Sequence, residues 1–227
     1  MQYAEFENIM SQARMSRYLQ ACDNDSRTAM TLYRKNLKLS QELFTVISCF
    51  EIALRNQIDQ HYSKLYGNHW LRNASSQGGM FDNRRCRITS RTIREEIDKL
   101  NHHYAHSRLV ATLGFGFWRY MFSAHQFRAA GQNLLQIFPA RPTSTPQRQY
   151  NSSYIFNQLK QINDIRNRIA HHEPICFTPK QPVKNTTYAR QHHALLLQLF
   201  QWMSINEASL LYGLDHIHSV CNDIDAL

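Results

Sequence analysis

The sequence contains few of the residues that interrupt helices. Its 227 residues include only 7 glycines and 6 prolines, which leaves long stretches without the residues that commonly end regular structure. Strands that are buried on one face show an alternation of apolar and polar residues, and no segment shows it convincingly. We therefore predict an all-α fold. The length of the chain suits a single domain over residues 1–227.

Cysteines are also few, and they are not arranged in pairs. The five of them form no Cys-x-x-Cys motif, which argues against a disulfide framework and a zinc ribbon and is typical of a reducing cytosol. No apolar run approaches the ~20 residues that a membrane-spanning helix needs, and the N-terminal stretch lacks the features of a signal peptide. We expect a cytoplasmic protein that does not bind membranes.

Several common catalytic motifs are missing. The chain has no glycine-rich phosphate loop, and no Gly-x-Ser-x-Gly elbow or Cys-His context supports a serine or thiol nucleophile. His102 or His103 lies about one helical turn from His106, a spacing that two zinc ligands could use. No cysteine or acid stands at a matching offset. We expect no metal and no cofactor, and we interpret these histidines as a solvated helix end.

Positive charge is in excess. Lysine and arginine number 26 against 17 acidic residues, for a formal net charge of +9. Such a surface attracts polyanions, nucleic acid first and anionic membranes second. We expect two basic segments to contact a nucleic-acid backbone with low sequence specificity. Their arginines are Arg84, Arg85, Arg87, Arg91 and Arg94 in the first segment, and Arg141 and Arg148 in the second.

The spacing of apolar residues predicts a series of helices separated by polar loops. The predicted helices cover residues 3–21, 26–36, 40–66, 90–103, 109–122, 153–172 and 188–212, and the predicted loops include 72–85 and 139–153. Ser40 is expected to cap the third helix and Gly67 to end it. Its apolar positions are Phe44, Ile47, Leu54, Ile58, Tyr62 and Leu65. The aromatic run within 109–122 is interpreted as core packing rather than as a surface that stacks bases.

The stretch "DIRNRIAHHEPIC", residues 164–176, concentrates arginines and histidines at the predicted end of a helix before Pro174. On a helical wheel, Arg166 falls within an apolar stripe, while Asn167 and His171 lie one turn apart on a polar flank. Arg168 and His172 point elsewhere. The apolar stripe consists of Ile155, Leu159, Ile162, Ile165 and Ile169.

The long helix before Gly67 carries a second charge in an apolar stripe, that of Glu51. Burying an unpaired charge is strongly unfavourable, so each of the two misplaced charges needs a partner. We predict an ion pair between Glu51 and Arg166, with Arg55 nearby. The alternative is that Glu51 pairs with Arg55, four residues further along its own helix.

Three blocks of the sequence, in the same order, resemble the bacterial abortive-infection proteins of the Abi-like (AbiD and AbiF) type. They are "LYRKNLKLSQELFTVISCFEIALRNQI" at 32–58, "TLGFGFWRYMF" at 112–122 and "INDIRNRIAHHEPIC" at 162–176. The third contains Arg166-Asn167-x-x-x-His171, which is similar to the Arg-x4–6-His motif of the HEPN superfamily. The resemblance covers about residues 30–176.

The resemblance implies a HEPN-like helical bundle with additional helices, which forms a homodimer with two Arg/His motifs at one cleft. It further implies a toxin-like endoribonuclease of an anti-phage system, which cleaves RNA without a metal. Because an unrestrained ribonuclease would harm its own cell, we also expect a neutralising protein or RNA as a partner. The expected catalytic residues are Arg166, Asn167 and His171, supported by Glu51, Arg55 and His172.

Two other interpretations of the same residues stay open. In the first, the fold is a non-catalytic, dimeric scaffold whose Arg/His pocket holds an RNA or a regulator without cutting it. In the second, the motif is merely a basic helix end, where histidine and arginine interact favourably with the last carbonyl groups.

Overall fold

The computed structural model describes residues 1–227 and confirms the all-α fold. The twelve α-helices are α1 (Tyr3–Met10), α2 (Gln12–Gln20), α3 (Ser26–Tyr66), α4 (Trp70–Ser75), α5 (Arg87–Leu100), α6 (His106–Thr112), α7 (Phe115–Tyr120), α8 (Ala124–Ala129), α9 (Ser152–Ala170), α10 (Thr187–Trp202), α11 (Glu207–Leu210) and α12 (Ile217–Asp225). Short 3-10 helices cover Arg84–Cys86, Asn101–His103 and Leu134–Ile137. Phe177 and Lys184 form an isolated antiparallel bridge. None of the helices combines the length and the apolar character that crossing a bilayer requires.

The residues group into two compact units. The first unit contains Met1–Ser48, Asp164–Gln198 and Asn206–Leu227, and the second contains Cys49–Asn163 and Leu199–Ile205. Helices α3, α9 and α10 contribute residues to both units. A one-domain organisation stays a prediction.

An aromatic cluster forms part of the core of the first unit. The ring of Tyr18 makes edge contacts with Tyr33 and Phe177, at centroid distances of 5.1 and 5.0 Å, and Phe6 packs against Tyr33 at 5.4 Å. The guanidinium of Arg17 lies 4.5 Å from the centroid of the Phe177 ring. Such ring pairs stabilise by about 0.5–1.5 kcal/mol beyond the burial of their area. Helices α1 and α2 are thereby fixed against α3 and the segment that follows α9.

The core of the second unit is also aromatic. Phe50 packs edge-on against Phe200 at 5.2 Å and, tilted, against Phe115 at 6.3 Å. Trp118 is fully buried, and its indole Nε1 donates a hydrogen bond of 2.9 Å to the carbonyl oxygen of Leu113. That bond satisfies the polar end of a side chain that is otherwise apolar.

The predicted break between residues 36 and 40 is wrong, because α3 runs without interruption from Ser26 to Tyr66. Ser40 lies inside this helix and does not cap it. No glycine or proline stands between Asn36 and Ser40, and the helix buries both Asn36 and Leu39, so nothing there favours an end. The predicted end at Gly67 is confirmed, since its φ of 85° is a conformation that glycine adopts readily.

The predicted apolar stripe of this helix is partly wrong. Ile47, Leu54, Ile58 and Tyr62 are buried, as expected, but Phe44 is 40% exposed and Leu65 is 49% exposed. The buried positions include Leu43 and Phe50 instead. Adjacent apolar residues such as Leu43 and Phe44 fit a helical period about equally well, so periodicity alone cannot choose between them.

The predicted helix 109–122 is two helices. Helix α6 ends at Thr112 and α7 begins at Phe115, and Gly114 between them is extended, with φ of −77° and ψ of 171°. The indole of Trp118 takes the Leu113 carbonyl, which would otherwise accept a bond within a continuous helix. Of the aromatic run, Phe115, Trp118 and Phe122 are buried, whereas Tyr120 is 49% exposed. The core interpretation therefore holds only in part.

The predicted helix 188–212 is too long, because α10 ends at Trp202. Ser204 has a φ of 58°, its N–H donates to the carbonyl of Gln201, and the N–H of Ile205 donates to that of Phe200. This pattern closes a helix and is usually built on glycine. A serine in that place gave no signal in the sequence, and α12 was not predicted.

Other helix limits differ by a few residues from those expected. The helix predicted over 3–21 is interrupted at Ser11, whose φ is 77° and whose hydroxyl accepts a hydrogen bond from the N–H of Arg14. The predicted loop 72–85 begins with the second half of α4, and α5 starts at Arg87 rather than at residue 90. The loop predicted over 139–153 is confirmed up to Asn151, after which α9 begins.

Candidate functional site at the end of α9

The last turns of α9 carry the Arg/His motif. The predicted apolar stripe is confirmed, since Ile155, Leu159, Ile162, Ile165 and Ile169 are all buried. Arg166 is half-buried, whereas Asn167 and His171 are exposed. The N–H of His171 donates to the carbonyl of Asn167 at 2.9 Å, which keeps these two residues one helical turn apart.

A turn on the residue after His171 closes the helix. His172 has a φ of 56°, its N–H donates to the carbonyl of Ile169 at 2.9 Å, and the N–H of Glu173 donates to that of Arg168 at 2.8 Å. These two bonds define a Schellman motif, in which glycine is the usual residue with positive φ. The helix therefore ends at Ala170, two residues earlier than predicted, and this turn rather than Pro174 ends it.

The side chain of Arg168 stabilises this turn. Its Nε lies 3.2 Å from the Glu173 carboxylate, its Nη2 donates to the carbonyl of Pro174 at 2.8 Å, and its Cζ lies 4.7 Å from the centroid of the Tyr188 ring. Because the guanidinium makes these three contacts within the first unit, Arg168 has a structural role in the turn.

Tyr188, on which Arg168 stacks, also contacts His192. The ring of His192 packs 4.2 Å from that of Tyr188, and its Nδ1 lies 2.8 Å from the Tyr188 carbonyl oxygen. Burial lowers the pKa of the His192 imidazole; the Tyr188 carbonyl opposes this decrease and the charge of Arg168 adds to it. His192 is therefore a neutral packing element at neutral pH.

A buried amide fixes the chain beyond the turn. Asn36 of α3 is only 3% exposed, and its Oδ1 accepts a hydrogen bond of 2.9 Å from the N–H of Ile175. This bond joins the first of the three resembling blocks to the third. It places the segment from His171 to Ile175 against α3 within the first unit.

A cleft of about 390 Å³ opens beside the turn. Its walls include His171 and His172 on one side and Arg14, Arg17 and Tyr18 of α2 on the other. Arg166 and Asn167 do not line this cleft.

The two arginines of α2 have different roles. Arg14 is exposed, and its Nη1 donates to the carbonyl of His172 at 2.7 Å. Arg17 donates to the carbonyls of Thr178 and Gln181 and stacks on Phe177. Neither arginine is predicted by the sequence pattern. Their spacing of three residues places them on one helix face, but only the tertiary fold brings that face to His171.

The residues expected to support the motif lie in different places. His172 forms the turn itself, through its backbone. Glu51 and Arg55 are half-buried and one turn apart on α3, in the second unit. The ion pair of Glu51 with Arg166 stays a prediction, as does its alternative with Arg55.

The arginines expected to contact RNA are unequally available. In the first segment all five are exposed: Arg84, Arg85, Arg87, Arg91 and Arg94. Arg91 lies 3.5 Å from Glu95, and Arg94 donates to the Ser90 hydroxyl at 2.8 Å. In the second segment, Arg148 is exposed, whereas half-buried Arg141 donates to the carbonyl of Leu135 at 3.0 Å.

The prediction of a solvated helix end for the histidines after α5 is wrong for His106. Its Nε2 lies 2.6 Å from Asp59 Oδ1, which also accepts a 2.7 Å hydrogen bond from Trp70 Nε1. His102 and His103 are exposed, with their rings 3.9 Å apart. No group of three or more histidine, cysteine or acidic side chains is arranged to hold a metal ion.

The fold and the motif together define an all-helical protein with an Arg/His helix end beside an arginine-lined cleft. Residues 2–176 match the family described as Abi-like protein, and the chain belongs to this family. Membership suggests a role in abortive infection, the bacterial defence against phage. No curated protein and no solved structure matches the chain.

Replacing Asn36 by alanine should lower the free energy of unfolding by about 1–3 kcal/mol, because the buried N–H of Ile175 loses its acceptor. Chemical denaturation followed by circular dichroism measures this change. Asn56→Ala, at an exposed position of the same helix, is the matched control and should change stability by less than about 0.5 kcal/mol. Equal effects of the two substitutions would contradict the role given to Asn36.

His172→Gly should raise the free energy of unfolding by about 0.5–1 kcal/mol, since glycine adopts a positive φ without steric cost. Ala170→Gly, two residues earlier and within the helix, should lower it by a similar amount. Thermal melting of the two variants and of the unaltered protein distinguishes the expected increase in stability from the expected decrease. If both substitutions lower the free energy of unfolding equally, the positive φ of His172 does not limit stability.

Proposed function

We propose that the protein is a metal-independent endoribonuclease of the HEPN type, acting in anti-phage abortive infection, with Arg166, Asn167 and His171 as its catalytic residues. The observation that supports this best is the position of His171, which is exposed at the end of α9 and faces a cleft lined by Arg14 and Arg17. An accessible imidazole beside guanidinium groups suits a substrate that carries phosphate.

Cleavage without a metal proceeds by attack of the ribose 2′-hydroxyl on the adjacent phosphorus. One group removes the proton of that hydroxyl, and another gives a proton to the 5′-oxygen as its bond to phosphorus breaks. An imidazole can do either, because histidine exchanges its proton near neutral pH. The products are a 2′,3′-cyclic phosphate and a 5′-hydroxyl, and no metal ion is required.

Arginines would stabilise the negative charge that accumulates on the phosphate oxygens in the transition state. Arg166 is the family-type candidate, and Asn167 would orient the imidazole or the phosphate. Arg14 is a further candidate, since its guanidinium is exposed at the cleft and anchored by the carbonyl of His172. Exposed arginines near α5 would bind the RNA backbone through charge.

The proposed active form is a homodimer in which two motifs face one cleft. The His171 of one copy would then act as the acid while that of the second copy acts as the base. An unrestrained ribonuclease would damage its own cell, so we infer a neutralising protein or RNA as a further partner.

Induced expression in bacteria tests this function. The unaltered protein should arrest growth. His171→Ala or Arg166→Gln should restore growth, because each substitution removes a side chain that RNA cleavage requires. His102→Ala removes an exposed imidazole at another helix end and should still arrest growth. Equal arrest by the His171→Ala protein, at matched expression, would exclude His171 as a catalytic residue. A non-catalytic scaffold should give no arrest with any of these proteins.

A further inference from the structure

The second unit contains a cavity that the proposed active site does not use. It has a volume of about 580 Å³ and lies between α5, α7 and the start of α8. That volume is within the range of about 300–1,000 Å³ that is typical of small-molecule sites. Its apolar wall includes Ile88, Phe117 and Tyr120, and its residues include no acid.

The two aromatic rings of the wall are held in place by their neighbours. Phe117 makes an edge contact with Trp118 at 5.1 Å. Tyr120 packs edge-on against Phe156 at 5.5 Å, and the Arg119 guanidinium lies 4.8 Å from the centroid of the Tyr120 ring. Rings that are already fixed lose little conformational freedom when a flat ligand stacks on them.

A polar network also lines the cavity. Gln126 is only 7% exposed, its Nε2 donates to the Thr89 hydroxyl at 2.9 Å, and its Oε1 accepts from the Ser123 hydroxyl. Each hydroxyl oxygen can still accept a further hydrogen bond. The network therefore offers oriented polar atoms to the edge of a ligand whose faces are apolar. A lipid chain has no polar edge and would leave these atoms without a hydrogen bond from the ligand.

A smaller cationic space of about 190 Å³ adjoins this cavity, because Arg85 and His125 line both. The other residues that line it are Asn83, Arg128 and Ala129, and no acidic residue contributes. Two guanidinium groups in a space whose lining contains no acid suit a phosphate group, which arginine binds through paired donors.

We propose that these adjoining spaces form a nucleotide-binding site, with a nucleobase between the aromatic wall and the Gln126 network and its phosphate on Arg85 and Arg128. The base can belong to a free mononucleotide or to an unpaired residue of a single-stranded RNA. The proposal concerns binding alone and does not require cleavage at His171.

Gly116 is a position from which a side chain can be added to the cavity. It lies on α7 and lines the cavity, and a Cβ on it would meet no atom within 4 Å. Gly116→Leu should therefore place a side chain where the base binds, and removing a glycine from a helix favours the fold. Gly114→Leu is the matched control, since Gly114 also has open space around it and does not line the cavity.

Binding is measured by calorimetry with AMP and UMP, and by fluorescence anisotropy with a labelled 12-nucleotide RNA, on the His171→Ala protein so that the RNA stays intact. Gly116→Leu should weaken binding by about tenfold or more, as expected for the loss of one stacked base. Gly114→Leu should change it by less than about twofold. If Gly116→Leu weakens the binding of AMP or UMP, the site takes a mononucleotide. If it weakens the binding of RNA alone, the site takes a base within a strand.

A second pair of variants tests the phosphate contact independently of cavity filling. Arg85→Gln should weaken binding of the affected ligand by about threefold or more, whereas Arg91→Gln removes the same charge outside both spaces and should have a smaller effect. RNA binding that responds equally to both arginine variants and not to Gly116→Leu would overturn the proposal, since charge alone would explain it. Absence of binding by both ligand types would overturn it as well.

Discussion

The turn that closes α9 is the constraint on which the candidate site depends. Two backbone hydrogen bonds across His172 stop the helix one residue before His171. Arg168 and Asn36 then fix the chain that follows the turn, at Pro174 and Ile175. The carbonyl of His172 in this turn accepts a hydrogen bond from Arg14, which joins the turn to α2. Stopping it here leaves His171 exposed beside Arg14, at a cleft that a phosphate group can enter.

The arginines of the chain divide into those that hold structure and those that are available to a ligand. Arg17 and Arg168 donate to backbone carbonyls and stack on aromatic rings, so their removal would disturb the fold before it disturbed binding. Arg14 and Arg85 are exposed and line cavities. The net positive charge of the sequence therefore overstates the charge available to RNA, and position rather than number indicates which arginines can bind it.

The fold class and the apolar stripe of α9 could be predicted because helical periodicity and the scarcity of glycine and proline are properties of the sequence itself. The ends of helices were harder to predict. His172 and Ser204 adopt positive φ without being glycine, and Trp118 takes a carbonyl that a continuous helix would have used. These features depend on tertiary packing. The same is true of Arg14, which no local pattern relates to a residue more than 150 positions away.

The most direct test of the proposed function is the chemistry of the RNA ends. Purified protein is incubated with a single-stranded RNA in excess EDTA, and the products are identified by mass spectrometry. We predict cleavage that EDTA leaves unchanged, with 2′,3′-cyclic phosphate and 5′-hydroxyl ends, and its loss in the His171→Ala protein. Cleavage that stops in EDTA, or that persists without the His171 imidazole, would contradict it.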